Sequence, residues 1–382
     1  MLGGFIFSFI FISSKTISHH FQNFIHRIPI ACCCGKRKFL FDKNVLKSSS
    51  FNFPVICVGN IAVGGTGKTP MTEYLIELLK SNYHVATLSR GYKRRTKGFA
   101  IANADTTAIE IGDEPMQFHL SHPEIAVAVG EKRIEAVPQL LYDCPDTKLI
   151  ILDDAFQHRE IKAGMDILLT DHSNLYTRDY FLPTGDLRDQ ISSARRARII
   201  IVTKCPADLS EDERFRIMKE IAPKSGQTVF FTSIEYREPY HIVTKENLPL
   251  SHVEEILLVC GIANPEPLTD YIHETTNTYE AIFYSDHHLF SIDDIYEMKK
   301  RFSDIRNKEK RILTTEKDAV RLVKYKEYLA DLPFYVIPIG VHFLFEQQKE
   351  FNEIISSFPK DFYRSQAEEI IKENELEESI SY

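Results

Sequence analysis

The segment from Val55 to Pro70 constrains the fold more than any other part of the chain. An apolar run typical of a buried strand, Val55–Gly59, leads into a glycine-rich turn that ends in Gly-Lys-Thr, and helical spacing follows directly. This order of strand, loop and helix is the context of a phosphate-binding loop, whose backbone N–H groups surround phosphate oxygens at a helix N-terminus. The pattern predicts that Lys68 reaches the β- and γ-phosphates and that the Thr69 hydroxyl ligates Mg²⁺.

The loop departs from the usual phosphate-loop pattern at one position, because Ala62 stands where the first glycine is expected. A glycine-rich turn that carries a surface lysine is the structural alternative. The strand before the turn and the helix after it favour the nucleotide site.

Short apolar runs alternate with helical patterns from Val55 onward, which predicts an α/β fold with a mostly parallel sheet flanked by helices, of the P-loop NTPase type. The first series of predicted strands is Val55–Gly59, Val85–Leu88, Ile125–Val129, Leu149–Leu152, Ile167–Thr170 and Ile199–Thr203. A second series predicts a smaller α/β domain: Val229–Ile234, Ile256–Val259, Ala281–Tyr284, Arg311–Thr314 and Phe334–Pro338. The predicted organisation is an N-terminal segment (1–44), a nucleotide-binding domain (45–225), a smaller domain (226–360) and an acidic tail (361–382).

The two ends of the chain carry opposite charge. Residues 1–47 have seven Lys/Arg against one Asp, and residues 361–382 have seven Asp/Glu against two Lys/Arg. The net charge of −8 argues against a general nucleic-acid binder. The apolar start, residues 1–12, is too short to cross a hydrocarbon core of ~30 Å, so it is either a membrane-surface anchor or a misassigned or disordered start. Seven cysteines do not indicate a disulfide framework in a chain of this length, and a nucleotide site points to the cytoplasm.

Two adjacent carboxylates, Asp153 and Asp154, follow the predicted strand Leu149–Leu152. Mg²⁺ usually binds one or two carboxylates together with substrate phosphates, and in phosphate-loop enzymes such an Asp ends a neighbouring strand. A strand end capped by solvated carboxylates is the alternative. The presence of the Gly-Lys-Thr turn favours the metal site.

Asp113 begins a predicted helix in the segment Gly-Asp-Glu-Pro, residues 112–115. One interpretation makes Asp113 the N-cap, with Pro115 in the first helical turn. The functional interpretation makes it a carboxylate in the cleft that accepts a proton from an attacking hydroxyl. The two roles are compatible, and the residues alone favour the cap.

Two further polar segments follow predicted strands. The basic loop 89–95 leaves the same predicted edge of the sheet as the phosphate loop, so it is either a solvated face or a binding site for an anionic acceptor. The segment Ser285–His288 contains Asp-His-His, whose adjacent histidines point in different directions and do not suit a zinc cage. An Asp–His pair is more often structural than catalytic, but its place beyond a strand keeps a catalytic role open.

Together these segments resemble the tetraacyldisaccharide 4′-kinase family of lipid A biosynthesis in Gram-negative bacteria. The resemblance extends from about Phe39 to Phe343, and the family loop also lacks the usual first glycine. The motifs that carry it occupy residues 58–70, 88–92, 112–115, 153–159, 182–189, 286–288 and 315–319.

The resemblance implies ATP-dependent phosphorylation of the 4′-hydroxyl of an acylated glucosamine disaccharide 1-phosphate, forming lipid IVA at the cytoplasmic face of the inner membrane. It implies that Asp113 is the base, that His287 assists it, and that Thr69 and Asp153 hold Mg²⁺. It assigns ATP and phosphate contacts to Gly59, Asn60, Val63, Gly64, Gly65, Thr66, Gly67, Lys68, Thr69, Pro70, Arg90, Glu114, Arg133, Asp154, Arg188, Asp189 and Asp286.

Two other functions are compatible with a phosphate loop. A nucleotide-driven switch or assembly factor would hydrolyse nucleotide without a sugar-lipid acceptor, and a third possibility is a kinase for a soluble sugar. The apolar N-terminus and the uneven charge favour a lipid acceptor.

Overall fold

The computed structural model describes residues 40–380, apart from residues 42, 44 and 277. The N-terminal segment predicted over residues 1–44 therefore lies outside the described residues, except at positions 40, 41 and 43. Within the described part of the chain, no helix is both long enough and apolar enough to cross a membrane.

The described residues form fourteen strands and ten α-helices. The strands are β1 (Val55–Gly59), β2 (Val85–Ser89), β3 (Ala100–Ile101), β4 (Ala126–Val129), β5 (Leu149–Asp153), β6 (Met165–Asp171), β7 (Ile199–Thr203), β8 (Thr228–Tyr236), β9 (Tyr240–His241), β10 (Glu255–Cys260), β11 (Thr278–Phe283), β12 (Lys310–Thr315), β13 (Phe334–Ile337) and β14 (Ile339–Phe343). The helices are α1 (Lys68–Leu79), α2 (Ala108–Ile111), α3 (Asp113–Ser121), α4 (Arg133–Asp143), α5 (Glu211–Ile221), α6 (Glu266–Thr275), α7 (Ile292–Asp304), α8 (Glu316–Leu322), α9 (Lys326–Leu329) and α10 (Gln348–Ile380). Two short 3₁₀ helices occupy Ile191–Arg196 and Val323–Tyr325.

Nine strands form the larger sheet, in the order β14-β8-β7-β6-β1-β5-β2-β4-β3. Its strands are parallel except at the edges, where β14 and β3 run antiparallel to their neighbours. Successive side chains of β1 enter opposite cores: Val55 and Cys57 pack with α4 and α5, whereas Ile56 and Val58 pack with α1 and α10. A parallel sheet buried on both faces in this way confirms the predicted α/β class.

The smaller sheet has five strands, in the order β11-β10-β12-β13-β9, and is parallel except for β9. Leu257 and Val259 of its interior strand β10 face one core, and Ile256 and Leu258 face the other. This second, smaller α/β layer agrees with the predicted fold class.

The structure divides the chain differently from the predicted boundary near residue 225. Strand β8 pairs in parallel with β7 of the larger sheet, and β14 then pairs with β8. Aromatic packing explains this placement, because the Phe230 ring of β8 lies 6.1 Å from Phe343 and 5.2 Å from Phe351. The smaller sheet therefore belongs to residues 240–337, which are inserted between two strands of the larger sheet and are called the inserted unit below.

The acidic C-terminal tail predicted over 361–382 is helical as far as Ile380, because α10 continues through it. The first turns of α10 bury Phe351 and Ile355 against the larger sheet. Farther along, the Tyr363 hydroxyl donates to the Lys148 carbonyl at 2.8 Å.

Candidate active site

The phosphate loop runs from Asn60 to Gly67, between β1 and α1. Gly64 and Gly67 have φ angles of 97° and 75°, which side chains with a Cβ rarely adopt. Gly67 precedes Lys68, the first residue of α1, so Lys68, Thr69 and Pro70 form the first helical turn as the sequence predicts. The positive end of the α1 dipole and its first N–H groups therefore face the loop.

Hydrogen bonds within the loop and from two other segments of the chain hold the loop in shape. The Asn60 amide nitrogen donates to the Thr66 hydroxyl at 2.9 Å. The Thr203 hydroxyl, at the end of β7, lies 3.1 Å from the Thr66 carbonyl and donates to it. The backbone N–H of Val63 donates to the Asp186 carbonyl at 2.8 Å. Neither Thr203 nor Asp186 was predicted to contact the loop, because neither lies near it along the chain.

Asp153 ends β5 beside α1 and is 6% exposed. The Thr72 and Ser89 hydroxyls donate to its two oxygens at 3.3 and 3.4 Å, which are long hydrogen bonds. Burial raises the pKa of Asp153 to about 7, and the adjacent Asp154 carboxylate acts in the same direction. A buried carboxyl with such weak partners is suited to bind a cation.

Asp154 is surrounded by cations. The Lys68 ammonium lies 3.9 Å from one of its oxygens, and Arg188 binds both oxygens while also donating to the Asn60 side-chain carbonyl. Burial acts to raise the pKa of Asp154, but Lys68 and Arg188 outweigh burial and hold the pKa below its ordinary value. Asp154 thus pairs with two cations whose charge also suits the phosphates of a nucleotide.

Arg133, the first residue of α4, is 1% exposed. One terminal nitrogen donates to the Gly130 carbonyl at 2.6 Å, whereas Nε and the other terminal nitrogen have no hydrogen-bond partner among the described residues. Burial lowers the pKa of Arg133 to about 10, although Asp153 and Asp154 act in the opposite direction. Buried donors without partners are costly, and an anion would satisfy them.

Asp113, at the start of α3, contacts two residues of the inserted unit. Its Oδ2 lies 2.7 Å from Nδ1 of His287, and Arg321 donates to both carboxylate oxygens, with Nε at 2.8 Å from Oδ1. Burial acts to raise the pKa of Asp113, but the bonds from His287 and Arg321 outweigh it and lower the pKa to about 2. Asp113 of α3 and His287 of the inserted unit, which the sequence predicts as a pair, are therefore in direct contact.

Arg321 was not predicted from the sequence. Its spacing could have indicated it, because Arg321 follows Lys317 by four residues and Asp318 by three, which places these charged side chains on one face of α8. Lys317 Nζ donates to Asp286 at 2.7 Å, and Asp286 lies 3.6 Å from His287 Nε2. Helix α8 thus contacts the whole Asp-His segment.

The remaining predicted residues lie around this centre. Arg90 is exposed after β2, and Glu114 lies in the first turn of α3. Asp189 lies 3.7 Å from the Arg196 guanidinium, and its backbone N–H donates to the Ile61 carbonyl at 3.2 Å. The basic loop 89–95 is only partly free, because Arg94 is bound to Glu131 at 2.6 Å.

The loop after β2 connects the two halves of the site. Its Tyr92 ring lies 6.1 Å from the His287 ring, and its Arg95 N–H donates to the Ile109 carbonyl in α2 at 2.9 Å. The phosphate loop, Asp153 and this loop all follow parallel strands at their carboxyl ends, where ligands bind in such sheets. These features define a P-loop nucleotide-binding protein of the phosphotransferase class, with a carboxylate–imidazole pair beside the loop that follows β2.

Comparison with known proteins identifies the family. The family model described as tetraacyldisaccharide-1-P 4′-kinase matches residues 29–359, so the chain belongs to this family. A tetraacyldisaccharide 4′-kinase of Bacteroides thetaiotaomicron is 43% identical over 343 residues, covering 86% of this chain and 90% of the relative. One of Flavobacterium johnsoniae is 44% identical over 313 residues, covering 82% and 89%.

The fold also matches a solved member of the family. A crystal structure of LpxK from Aquifex aeolicus in complex with ATP is 25% identical, with a TM-score of 0.66. The match covers 87% of this chain and 98% of that chain.

Proposed function

We propose that this chain transfers the γ-phosphate of ATP to the 4′-hydroxyl of a tetraacyldisaccharide 1-phosphate, which forms lipid IVA. The observation that carries the proposal is the contact between Asp113 and His287 beside the loop that follows β2, a strand whose carboxyl end lies at the same edge of the sheet as the phosphate loop. Family membership and the relatives named as tetraacyldisaccharide 4′-kinases support the acceptor.

The donor half of the site binds and orients ATP. Phosphoryl transfer requires positioning and charge stabilisation more than covalent chemistry. The backbone N–H groups of the loop 59–67 and the Lys68 ammonium bind the phosphate oxygens. Arg133 and Arg188 add positive charge, and Arg133 gains partners for its buried donors.

Two residues fit a magnesium ion, Thr69 and Asp153. The buried Asp153 carboxyl has only long hydrogen bonds, and its raised pKa reflects a charge that lacks compensation. Mg²⁺ takes few protein ligands when phosphates supply the others, and it would neutralise charge on the β- and γ-phosphates.

Asp113 is the group that accepts the acceptor's proton. As the sugar oxygen forms its bond to the γ-phosphorus, the bond to the β-phosphate oxygen breaks and ADP leaves with those electrons. The hydroxyl proton passes to an Asp113 oxygen, and His287 stabilises the carboxyl through Nδ1.

The proposed site of action is the cytoplasmic face of the inner membrane, with peripheral or N-terminal attachment and no nucleic-acid partner. The acyl chains of the acceptor remain toward the bilayer. The apolar run of residues 1–12 and the basic residues that follow it support attachment to an anionic surface.

A transfer assay tests the proposal. Radiolabelled ATP is supplied with an acylated disaccharide 1-phosphate, and label is expected in the lipid phase. Lys68→Ala should abolish transfer, whereas Lys132→Ala, whose side chain is 71% exposed, should not. Release of phosphate without labelled lipid would indicate a nucleotide switch, and label in a water-soluble sugar added in its place would indicate a different kinase.

A further inference from the structure

Arg321 lies at the contact between the larger sheet's helices and the inserted unit. It belongs to α8, is 4% exposed, and follows the Thr-Glu-Lys-Asp segment 315–318, to which the proposed reaction gives no role. Arg321 and its partner Asp113 are separated by 208 residues along the chain.

The guanidinium contacts both members of the proposed acid–base pair. Nε and Nη2 each donate to one oxygen of Asp113, which is the bidentate geometry that a planar fork provides. The same Nη2 lies 2.8 Å from Nδ1 of His287, and Nη1 lies 3.4 Å from the His288 carbonyl.

The rest of α8 is anchored to the strand ends of the inserted unit. Asp318 is 0% exposed and accepts from the Gly261 N–H at 2.9 Å and from the Thr315 hydroxyl at 2.8 Å. Lys317 binds Asp286, the neighbour of His287. Arg321 therefore extends from a fixed helix, and its position does not depend on a flexible loop.

We propose that Arg321 is a positioning residue of the transfer reaction: it fixes the orientation of the Asp113 carboxylate and aligns it with Nδ1 of His287. This inference rests on the proposed function. An arginine cannot accept a proton, so it supports the pair in two ways. It donates to Oδ2 when His287 carries a proton on Nδ1, and it can donate to Nδ1 when that atom is unprotonated.

The geometry distinguishes this role from simple packing. Asp113 comes from α3 of the larger sheet, whereas His287 and Arg321 come from the inserted unit. Without the two hydrogen bonds from the Arg321 guanidinium, the Asp113 carboxylate could rotate about its side-chain bonds. A misplacement of about 1 Å at a reacting group can lower the rate roughly 10²-fold.

The test compares Arg321→Met and Arg321→Lys with a matched control, Arg311→Met. Arg311 is also buried, at 2% exposure, and pairs with Glu254 in the same unit without contacting the site. Transfer to the lipid is measured as kcat and KM across pH, and the Asp113 carboxyl is titrated by carbon NMR, assigned with Asp113→Asn.

For Arg321→Met we expect kcat to fall about 10²-fold with little change in the KM for ATP. The pKa of Asp113 should rise by about 1–3 units, because the two hydrogen bonds and the charge of Arg321 would be lost while the hydrogen bond to His287 remains. Arg321→Lys should give intermediate values, because an ammonium group cannot bind both oxygens and Nδ1 together. Arg311→Met should alter stability only.

An unchanged Asp113 titration and pH–rate profile in Arg321→Lys would overturn the inference, whether or not Arg321→Met folds. Equal losses of kcat in Arg321→Met and Arg311→Met would also overturn it. Failure of the parent protein to label the lipid would refute the proposed function instead. The NMR titration needs no turnover, so the two failures are distinguishable.

Discussion

Replacing Asp113 by Asn tests the chemistry and the inter-sheet contact together. Asn keeps the size of the side chain but removes the negative charge that Arg321 and His287 now stabilise. If Asp113 accepts the hydroxyl proton, turnover should fall by about 10²–10⁴-fold, the usual contribution of a general base. ATP should still bind, because Asp113 lies outside the phosphate loop.

The stability effect follows from the pKa of Asp113, which its partners lower from 3.8 to about 2. A difference of this size corresponds to about 2 kcal/mol of folding free energy in favour of the charged carboxylate. Because the pKa is lower in the folded state, this stabilisation is present above the unfolded-state value and is lost as pH falls toward 2. The variant should therefore have a lower free energy of unfolding than the parent at pH 7. The difference between the two proteins should become smaller below pH 4.

Urea unfolding at several pH values and lipid labelling at pH 7 measure the two effects. Glu254→Gln is a matched control, because the pairs Arg311–Glu254 and Arg321–Asp113 have the same side-chain exposures of 3% and 13%. Glu254 precedes β10, at the far end of that strand from Gly261 and the site. The control should lose stability and keep turnover. Near-parental turnover in Asp113→Asn would refute the base role, and unchanged stability at pH 7 would refute the pairing.

Three further substitutions test single contacts. His287→Ala should lower turnover less than Asp113→Asn and move the acidic limb of the pH–rate profile upward, because its bond lowers the pKa of Asp113; an unchanged profile would make His287 structural. Arg133→Met should remove most turnover but leave the melting temperature of the ligand-free protein unchanged or higher, since two buried nitrogens lack partners among the described residues; a large drop on thermal unfolding would contradict this. Gly59→Ala should destabilise by about 1–3 kcal/mol in urea, because its Cβ would lie 2.7 Å from Phe156 Cβ, and full stability would show that the loop can shift.

Local patterns predicted the strands and the helix that carry the phosphate loop and Asp153. The phosphate loop and the strand before Asp153 are continuous in sequence, so their geometry depends on a few neighbouring residues. The predicted strands of the first series end within two residues of the observed ones. The sheet to which β8 belongs was harder to predict from the sequence. Strand β8 pairs with β7, and its Phe230 packs against Phe343, more than a hundred residues farther along the chain.

The acceptor half could not be assembled from local patterns. Asp113 and His287 were each identified, but their contact joins two sheets, and the sequence also permitted a helix cap and a structural Asp–His pair. Arg321 was missed because its site depends on a partner 208 residues away. Residues 315–319 entered the prediction only as a motif of the family resemblance, and the three-dimensional fold shows that the helix beginning there, α8, brings Arg321 to Asp113.

Several charged groups of the site are paired with one another before ATP binds. Lys68 and Arg188 are held by Asp154, and Asp113 is held by Arg321. We expect the phosphate groups of ATP to replace Asp154 as partners of those cations, so that binding would exchange one set of charge pairs for another with little reorganisation. Asp113 differs from these cations, because its partners His287 and Arg321 belong to the inserted unit and a nucleotide would not replace them. The orientation of the proposed base therefore depends on how the inserted unit packs against α3, which makes acceptor activation a property of the contact between the two sheets.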